Sequence, residues 1–523
     1  MHDPGILAEI GRRSRSVRTP VREADERGID VGRLAYAGLL ACGLVAVLPA
    51  GAADGSRAFG ALQLEPCTLA APGWPVTVSA QCGTLPVPEN RERAGGRTID
   101  LAIAVVPTRS RRPAPDPVLL LAGGPGQSAR EAFPVAAAAF AEVLRDRHVV
   151  LVDQRGTGGS NPLACPSRTE GPDPAAVTTP RTEAARELAA QCLESLDADV
   201  RQYTTSAAVA DLEAVRSALG AGQVNLVGVS YGTRVALEYL RRHPSRIRTA
   251  VLDGVLPPTL ALGSEHARNL EAALDAQFAR CVADAACAAR YGDPRSTLVA
   301  LLERLKRAPE RVSYRDPVTH DPREDELSSD TVAGVVRLYA YAPQLAALIP
   351  FTLAEAAAGR PGTLMAQARM VETLVGEQIQ VGLQLSVSCA EDADRLQPDA
   401  ADAQTLLGAG FVEQLLAQCE VWPRGTRPAD FDAPLHSDRP VLLLSGEFDP
   451  VTPPRYGEEV VRTLPNGRHL VARGQAHGVL GTGCMPQLLG RFVAAADART
   501  LDATCLDRLR HTPPFTGAYG WGP

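Results

Sequence analysis

The stretch that decides the fold is residues 223–243, QVNLVGVSYGTRVALEYLRRH, with GVSYG (residues 228–232) at its centre. An apolar, β-branched run precedes the centre and a helical pattern follows it. The two glycines allow a sharp turn and a close approach of helix to strand, since a side chain at either place would clash. The stretch therefore predicts a strand, a turn with the Ser230 hydroxyl at its apex, and a helix over Tyr231–Arg242.

Similar apolar runs recur on both sides of this turn. The predicted strands are Thr98–Val106, Pro117–Leu121, His148–Val152, Gln223–Val227, Thr249–Leu252, Pro440–Leu444 and Arg468–Val471. Several are continuous apolar runs, which are typical of parallel strands covered on both faces. Helical patterns such as Ser206–Leu219 lie between them. The alternation predicts an α/β fold with a mainly parallel central sheet.

The alternation stops after about residue 258 and resumes at about residue 440. The stretch between is rich in Ala, Leu, Glu and Arg, and it predicts helices at Asn269–Ala289, Thr297–Arg307 and Thr363–Leu383. We interpret it as a helical cap domain inserted into the sheet domain. The predicted organisation is a leader (1–52), the first part of the core (53–258), the cap (259–439) and the second part of the core (440–523).

A serine hydroxyl is a weak nucleophile and needs a base that a carboxylate orients. Behind a turn of this kind the chain order is serine, acid, histidine. In VLLLSGEFDPVTPP, Asp449 follows a predicted strand in a turn, and we favour it over Glu447, which lies nearer the strand end. In RHLVARGQAHGVL, His477 lies in a loop of small residues after the next strand. These residues predict a Ser230–His477–Asp449 triad.

Three other histidines are weaker candidates for the base. His469 stands at the start of a predicted strand, where a packed or exposed ring is expected. His436 precedes the acid and breaks the chain order. His243 is at a helix end, where a cation is favourable.

The loop LAGGPGQ (residues 121–127) follows the predicted strand VLLL and is a candidate oxyanion site. Its three glycines let backbone N–H groups point inward, and proline has no N–H, so Gly124 or Gly126 must donate. We favour Gly124, with the N–H of Tyr231 as the second donor. An ordinary glycine-rich turn is the alternative.

Composition excludes several function classes. The 523 residues are 45% hydrophobic and 22% charged, which is ordinary for a globular protein. The net charge of -7 gives no general attraction to nucleic acid. Lys306 is the one lysine, so neither a phosphate-binding GK[ST] loop nor a pyridoxal Schiff base is available. The commoner zinc and calcium motifs are also missing, so no metal or organic cofactor is implied.

The N-terminus predicts export. Residues 34–48 form an uncharged apolar run after Arg27 and Arg33, and small residues follow at 50–53. This pattern is typical of a secretory signal cleaved near Ala52, and the run is shorter than the roughly 20 residues of a membrane span. The alternative is a lipobox ending at Cys42, which would give a lipid anchor.

Ten cysteines remain when Cys42 is set aside. They fall into local couples: Cys67/Cys82, Cys165/Cys192, Cys281/Cys287, Cys389/Cys419 and Cys484/Cys505. In an exported chain the simplest interpretation is five disulfides between these neighbours. Buried free thiols are the alternative.

Seven motifs follow one another in the order GGPGQS, DQRGTGGS, YTTSAAVADLEAVRSALG, GVSYGTR, LDGVLPP, SGEFDPVTPP and GQAHG. As a set they resemble the proline iminopeptidase and tripeptidyl aminopeptidase group of α/β-hydrolase serine peptidases (S33 type) over about residues 82–505. The tail resembles the C-terminal region of the tripeptidyl aminopeptidases. The resemblance implies removal of residues from peptide N-termini through an acyl-enzyme. One departure is Leu121-Ala122, where the family often shows HGGPG or NPGGPG, and this puts the shape of the substrate site in doubt.

The resemblance also implies acidic cap residues that bind the free N-terminal ammonium of a peptide. SVSCAEDADR offers Glu391 and Asp392 for this role, with a solvated acidic face as the alternative. Asp153 and Arg155 are expected to form a buried structural pair behind the turn. Two rival functions stay open, a carboxylesterase with the same triad and a non-catalytic binding protein on the same scaffold.

Overall fold

The computed structural model describes residues 55–166, 181–376 and 378–517. The predicted leader and the alternative acylation site at Cys42 lie outside these residues. In the described part of the chain, no helix combines the length and the apolar character needed to cross a membrane.

Ten strands form one sheet and two form a separate hairpin within the described residues. The strands are β1 (Arg57–Phe59), β2 (Leu62–Ala70), β3 (Thr77–Pro88), β4 (Thr98–Val106), β5 (Val118–Leu121), β6 (Val149–Val152), β7 (Val224–Val229), β8 (Ile247–Asp253), β9 (Glu310–Arg315), β10 (Pro322–Leu327), β11 (Val441–Gly446) and β12 (Gly467–Ala472). The sheet order is β1-β2-β3-β4-β6-β5-β7-β8-β11-β12, and β9 pairs with β10. From β6 to β12 all pairs are parallel, and β1 to β4 form an antiparallel edge that joins β6. The mainly parallel sheet and all seven predicted strands are confirmed.

The inner parallel strands β5, β6, β7, β8 and β11 are almost entirely buried because both faces of the sheet are covered. In β5, Leu119 and Leu121 pack into one hydrophobic cluster, and Val118 and Leu120 pack into the cluster on the other face. β2 was not predicted, because its buried and exposed residues are mixed and its LQLEPCTLA is no continuous apolar run.

The described helices divide between the sheet and the inserted segment, which we define as residues 254–440 between β8 and β11. Outside it lie α1 (Ala129–Ala136), α2 (Arg181–Ser195), α3 (Thr205–Ala218), α4 (Tyr231–Arg242), α14 (Pro454–Val461) and α15 (Met485–Ala495). Within it lie α5 (His266–Ala283), α6 (Ala285–Tyr291), α7 (Pro294–Arg307), α8 (Ser329–Tyr339), α9 (Pro343–Ala346), α10 (Ile349–Ala357), α11 (Gly362–Gly376), α12 (Val381–Glu391) and α13 (Gly410–Val421).

The inserted segment is mostly helical, but its packing is divided. A cluster that includes Leu270, Leu301 and Leu353 is separate from the clusters on the sheet. In contrast, Leu383 of α12 and Trp422 after α13 belong to a cluster of the sheet itself. The end of the segment is therefore packed as part of the core, and the predicted cap boundaries stay a prediction.

Two predicted helices are each two helices in the structure. Asn269–Ala289 breaks at Asp284, whose side chain accepts the N–H of Cys287 and caps α6. A side-chain cap of this kind starts a new helix and ends the old one. Thr363–Leu383 covers most of α11 and the start of α12.

All five predicted disulfides are confirmed. The bonds are Cys67–Cys82, Cys165–Cys192, Cys281–Cys287, Cys389–Cys419 and Cys484–Cys505, with Cα–Cα distances of 4.7–6.4 Å. They connect neighbouring elements, such as β2 with β3 and α12 with α13.

Candidate active site

Ser230 sits in the turn between β7 and α4 with a positive φ of 55°. Non-glycine residues adopt this conformation rarely, so the surrounding structure must hold it. A Cβ on Gly232 would lie 2.1 Å from the carbonyl oxygen of Leu121, and a Cβ on Gly228 would lie 2.4 Å from that of Gly232. The two glycines are thus required by close packing, as predicted, and the partly exposed Ser230 lies at the carboxyl end of the parallel strands.

His477 and Asp449 meet beside this turn. Nδ1 of His477 lies 2.8 Å from Oδ2 of Asp449. The other carboxylate oxygen accepts the N–H groups of Val451 at 2.9 Å and Thr452 at 2.8 Å. The Thr452 hydroxyl also donates to Oδ2 at 2.9 Å. These contacts lock the carboxylate and leave Nε2 of the imidazole available on the opposite side of the ring.

Charge and burial shift the pKa values of Asp449 and His477 in opposite directions. Burial alone would raise the pKa of Asp449, but the His477 ring and the N–H groups of Thr452 and Val451 lower it below its ordinary value. Burial works against a charged His477, but Asp449 and, less strongly, Asp253 hold the pKa of His477 above its ordinary value. The arrangement therefore favours a histidine that gains a proton readily.

The rival acid and base have other partners. Glu447 accepts the N–H of Gly474 at 2.7 Å and lies 2.9 Å from Nε2 of His511. His469 contacts the hydroxyl of Ser445 at 2.9 Å. His243 packs its ring edge-on against Tyr239. His436 is exposed. Of the predicted acids and bases, only Asp449 and His477 are brought together.

Asp253, at the end of β8, connects the loops of Ser230 and His477. Its backbone carbonyl accepts the N–H of Ser230 at 2.8 Å. Its carboxylate accepts the N–H groups of Val479 at 2.8 Å and Leu480 at 2.9 Å. Burial raises the pKa of Asp253 to about 6, although these two donors lower it. The role of Asp253 was not predicted; the sequence indicates it only as an aspartate that closes an apolar strand.

The Ser230 hydroxyl and the His477 ring do not share a hydrogen bond in this structure. A Cβ on the adjacent Gly254 would lie 3.0 Å from Cε1 of His477, so the ring packs closely against the end of β8. Contacts between a nucleophile and its base are often long without substrate and tighten when substrate binds. The geometry therefore brings both groups to one edge of the sheet.

The predicted oxyanion loop lies against the turn. A Cβ on Gly123 would be 3.2 Å from that of Ser230, and Gly124 has a φ of 107°. The N–H of Gly123 is occupied by Oε1 of Gln127 at 3.3 Å. Among the described residues, the N–H groups of Gly124 and Tyr231 have no acceptor. Their role as oxyanion donors stays a prediction.

The prediction that Glu391 and Asp392 contact substrate is wrong for this arrangement. Both residues have 0% of their surface exposed. Glu391 accepts the N–H of Thr205 at 2.6 Å and its hydroxyl at 2.8 Å. Asp392 forms two hydrogen bonds, of 2.8 and 3.1 Å, with the buried guanidinium of Arg234. Saturated, buried carboxylates cannot reach a peptide ammonium; they neutralise a cation of α4 instead.

These carboxylates brace the helix that follows Ser230. The Thr205 hydroxyl that donates to Glu391 also lies 2.8 Å from the Tyr231 hydroxyl. Gln154 donates to the same Tyr231 oxygen at 3.1 Å. Burial raises the pKa of Glu391 to about 7, Arg234 opposes the rise, and Asp392 adds to it. In the sequence, Arg234 is the residue that could have indicated this structural role, because an arginine that is buried requires an acidic partner.

Asp153 and Arg155 are buried and structural, but they do not pair with each other. Arg155 binds the carboxylate of Asp211 with two bonds, of 2.6 and 2.7 Å. Asp153 accepts the Ser128 hydroxyl at 2.7 Å and the N–H of Gly159 at 3.0 Å. The two side chains therefore tie the loop after β6 to different neighbours, which corrects the predicted pairing.

No metal site accompanies these residues within the ranges that the structure describes, where no group of three or more His, Cys, Asp and Glu side chains could hold an ion. The arrangement offers instead a hydroxyl, an imidazole and a carboxylate beside two free backbone N–H groups. This is the set of groups that nucleophilic acyl transfer uses.

Comparison with known proteins agrees with this set. Residues 116–319 match the model of the alpha/beta hydrolase fold, and residues 404–505 match that of TAP-like proteins. The serine protease Hip1 of Mycobacterium tuberculosis H37Rv is 24% identical over 479 residues, covering 85% of this chain and 91% of that protein. The tripeptidyl aminopeptidase of Streptomyces lividans is 32% identical over 200 residues, covering 36% and 37%.

A carboxylesterase B of Mycobacterium tuberculosis CDC 1551 is 28% identical over 225 residues, covering 40% of this chain and 43% of that protein. Among solved structures, proline iminopeptidase of Mycobacterium smegmatis aligns with a TM-score of 0.37 and 18% identity, covering 79% of this chain and 99% of that one. The chain has the α/β-hydrolase fold with a TAP-like C-terminal region, and it is a serine hydrolase similar to the tripeptidyl aminopeptidases.

Proposed function

We propose that this protein is an exported serine peptidase that removes residues from the N-termini of peptides. The observation that carries the proposal is the 2.8 Å contact between His477 and Asp449, made at the edge of the sheet where Ser230 is held. Asp253 accepts hydrogen bonds from the Ser230 turn and from the loop after His477, so one residue holds both at the same end of the sheet.

In the proposed reaction, Nε2 of His477 takes the proton of the Ser230 hydroxyl as the serine oxygen attacks the scissile carbonyl carbon. Asp449 keeps the ring oriented and stabilises its cation. The N–H groups of Gly124 and Tyr231 bind the oxyanion, and losing one such donor typically costs about 10²–10³ in kcat. His477 then protonates the leaving amine, and the acyl group remains on Ser230.

Water completes the reaction. His477 removes a proton from a water molecule that attacks the acyl carbon, and the bond to Ser230 breaks as the serine oxygen regains its proton. The products are a free carboxylate and an intact enzyme. Each step uses the same base, so loss of His477 blocks both halves of the reaction.

Export is supported by the five disulfides, because such bonds persist in oxidising compartments. The predicted leader in residues 1–52, or a lipid anchor at Cys42, would supply the route. Cleavage from the N-terminus is supported by the motif resemblance and by the similarity to the tripeptidyl aminopeptidase of Streptomyces lividans. The buried Glu391 and Asp392 do not support cleavage from the N-terminus.

A carboxylesterase is the second candidate, favoured by the relative of that name. The same hydroxyl, base and acid cleave an ester. An ester releases an alcohol, which is a better leaving group than the amine of a peptide and depends less on protonation by His477. Substrate preference, and not the geometry of the triad, separates the two candidates.

The test is a panel of peptide amides with free and blocked N-termini and of short acyl esters. We expect the wild type to cut the free peptides and to leave the blocked ones, and Ser230→Ala to be inactive. Ser313→Ala, an exposed serine on β9, is the matched control. Ester turnover without amide cleavage would favour the esterase. A Ser230 that resists a fluorophosphonate probe would identify a non-catalytic scaffold.

A further inference from the structure

Three parts of the inserted segment bring Arg337, Tyr341, His266 and Phe411 together next to His477. Arg337 is in the last turn of α8, and Tyr341 follows four residues later. The guanidinium of Arg337 lies 5.2 Å from the ring centre of Phe411, at the start of α13. Phe411 stacks on His266, the first residue of α5, with ring centres 5.5 Å apart.

This group is directly connected to the proposed base. The ring of Tyr341 meets that of His477 edge-on at 5.3 Å. The backbone carbonyl of Tyr341 accepts the N–H of His477 at 3.1 Å. Burial raises the pKa of the Tyr341 hydroxyl, and Arg337 partly offsets that rise through its charge and a hydrogen bond. Arg337 is therefore one side chain away from the imidazole.

Arg337 has no carboxylate partner among the residues that the structure describes. Arg234, in contrast, is buried against Asp392. Arg337, Tyr341, His266 and Phe411 are all partly exposed, so each keeps some surface in contact with solvent. A guanidinium whose face covers an aromatic ring still presents N–H groups at its edge.

The charged groups near Arg337 do not neutralise its positive charge. Burial, Arg337 and His477 together lower the pKa of His266 to about 3, so this ring is neutral at ordinary pH. Asp449 is a negative group that acts on both His266 and Tyr341, and it is already bonded to His477, Val451 and Thr452. An incoming carboxylate would thus meet a cation that its surroundings do not neutralise.

We propose that Arg337 is a specificity-determining residue that binds a carboxylate on the leaving part of the substrate. The inference rests on the proposed function, in which His477 protonates the leaving amine. A group next to that histidine meets the part of the substrate that departs. A guanidinium binds a carboxylate through charge-assisted hydrogen bonds. The favoured substrates are peptides with a carboxylate within one or two residues after the scissile bond.

The experiment compares two peptides with the same acyl part, one ending in a free carboxylate and one in a carboxamide. We expect the wild type to favour the carboxylate about tenfold in kcat/KM, the size of one charge-assisted hydrogen bond. Arg337→Gln should reduce that ratio to near one, and Arg337→Lys should keep part of it. Arg307→Gln, which removes an exposed arginine of α7, is the matched control and should keep the wild-type ratio.

A second pair separates the two sources of carboxylate. Both peptides are amidated at the C-terminus, and the first residue after the scissile bond is Asp in one and Asn in the other. A preference for Asp that depends on Arg337 assigns the subsite to acidic side chains; a preference confined to the first pair assigns it to the C-terminus. Equal wild-type rates within both pairs, or a ratio that survives Arg337→Gln, would overturn the proposal.

Failure of the peptidase proposal is a separate result. If the wild type cuts no peptide while a fluorophosphonate labels Ser230, the same comparison is made with neutral and carboxylated phenyl esters. An Arg337-dependent preference for the carboxylated ester supports the subsite on a different reaction. Equal ester rates overturn it. Thermal midpoints of all variants establish that they are folded.

Discussion

The backbone carbonyl of Asp253 accepts the N–H of Ser230 at 2.8 Å, while the carboxylate of the same residue accepts the N–H of Val479. One residue at the end of a central strand thus sets the position of the turn that carries the hydroxyl and of the loop that carries the base. Because the carbonyl contact is made by backbone, a side-chain substitution at this position changes the loop of the base and leaves the serine contact available.

Asp253→Asn should lower kcat/KM by about tenfold, because the carboxamide carries no charge and holds two N–H donors less well. His477 acts as a base only when neutral, so activity falls as pH drops through its pKa. Asp253 contributes to the raised pKa of His477. The acid limb of the variant should therefore move to lower pH. A lowered rate with an unmoved limb would indicate a purely structural role.

Asp449→Asn should lower kcat by about 10³–10⁴, because the carboxamide no longer selects the tautomer and orientation of His477. Glu447→Gln is the matched control, since this acid binds Gly474 and His511 instead. It should stay within about tenfold of the wild type. Steady-state kinetics on one substrate compare them. A larger loss in Glu447→Gln than in Asp449→Asn would reverse the assignment of the acid.

Gly232→Ala should destabilise the fold by about 3 kcal/mol, the upper range for overpacking, because its Cβ would press on the carbonyl oxygen of Leu121. Gly334→Ala in α8 meets nothing within 4 Å. It should be neutral or stabilise the protein by up to about 1 kcal/mol through helix propensity. Denaturant unfolding measures both. Equal stability of the two variants would contradict the tight packing of the turn.

The raised pKa of Glu391 predicts that the stability of the fold depends on pH. Its pKa in the folded protein is raised from the ordinary 4.5 to about 7. Folding therefore favours the protonated acid, and this contribution is full below about pH 4.5 and is lost as pH rises through about 7. The thermal midpoint should be a few degrees lower at pH 8 than at pH 5, and Glu391→Gln should reduce that difference.

Glu420→Gln, at an exposed acid of α13, is the control for this charge change and should retain the wild-type slope. A slope that is the same in all three proteins would assign the pH dependence to other groups.

The sequence predicts the parallel strands and the Ser230 turn because each depends on local pattern. Apolar runs such as VLLL need cover on both faces, and GVSYG allows one sharp turn. The partners of buried charges were not predictable in this way. Asp392 binds Arg234 and Arg155 binds Asp211 across long stretches of chain, and an acidic pair in sequence looks the same whether it faces solvent or a buried cation.

The inserted segment packs in two parts, one with the sheet and one around its own cluster. α12 and α13 are linked by Cys389–Cys419 and share the core of the sheet, and Asp392 holds α12 to α4. These two helices are therefore held against the sheet. The rest of the segment packs around its own cluster, which includes residues of α5, α7, α8, α10 and α11. Since α8 carries Arg337 and Tyr341 follows it, a displacement of this part relative to the sheet would move both residues relative to His477.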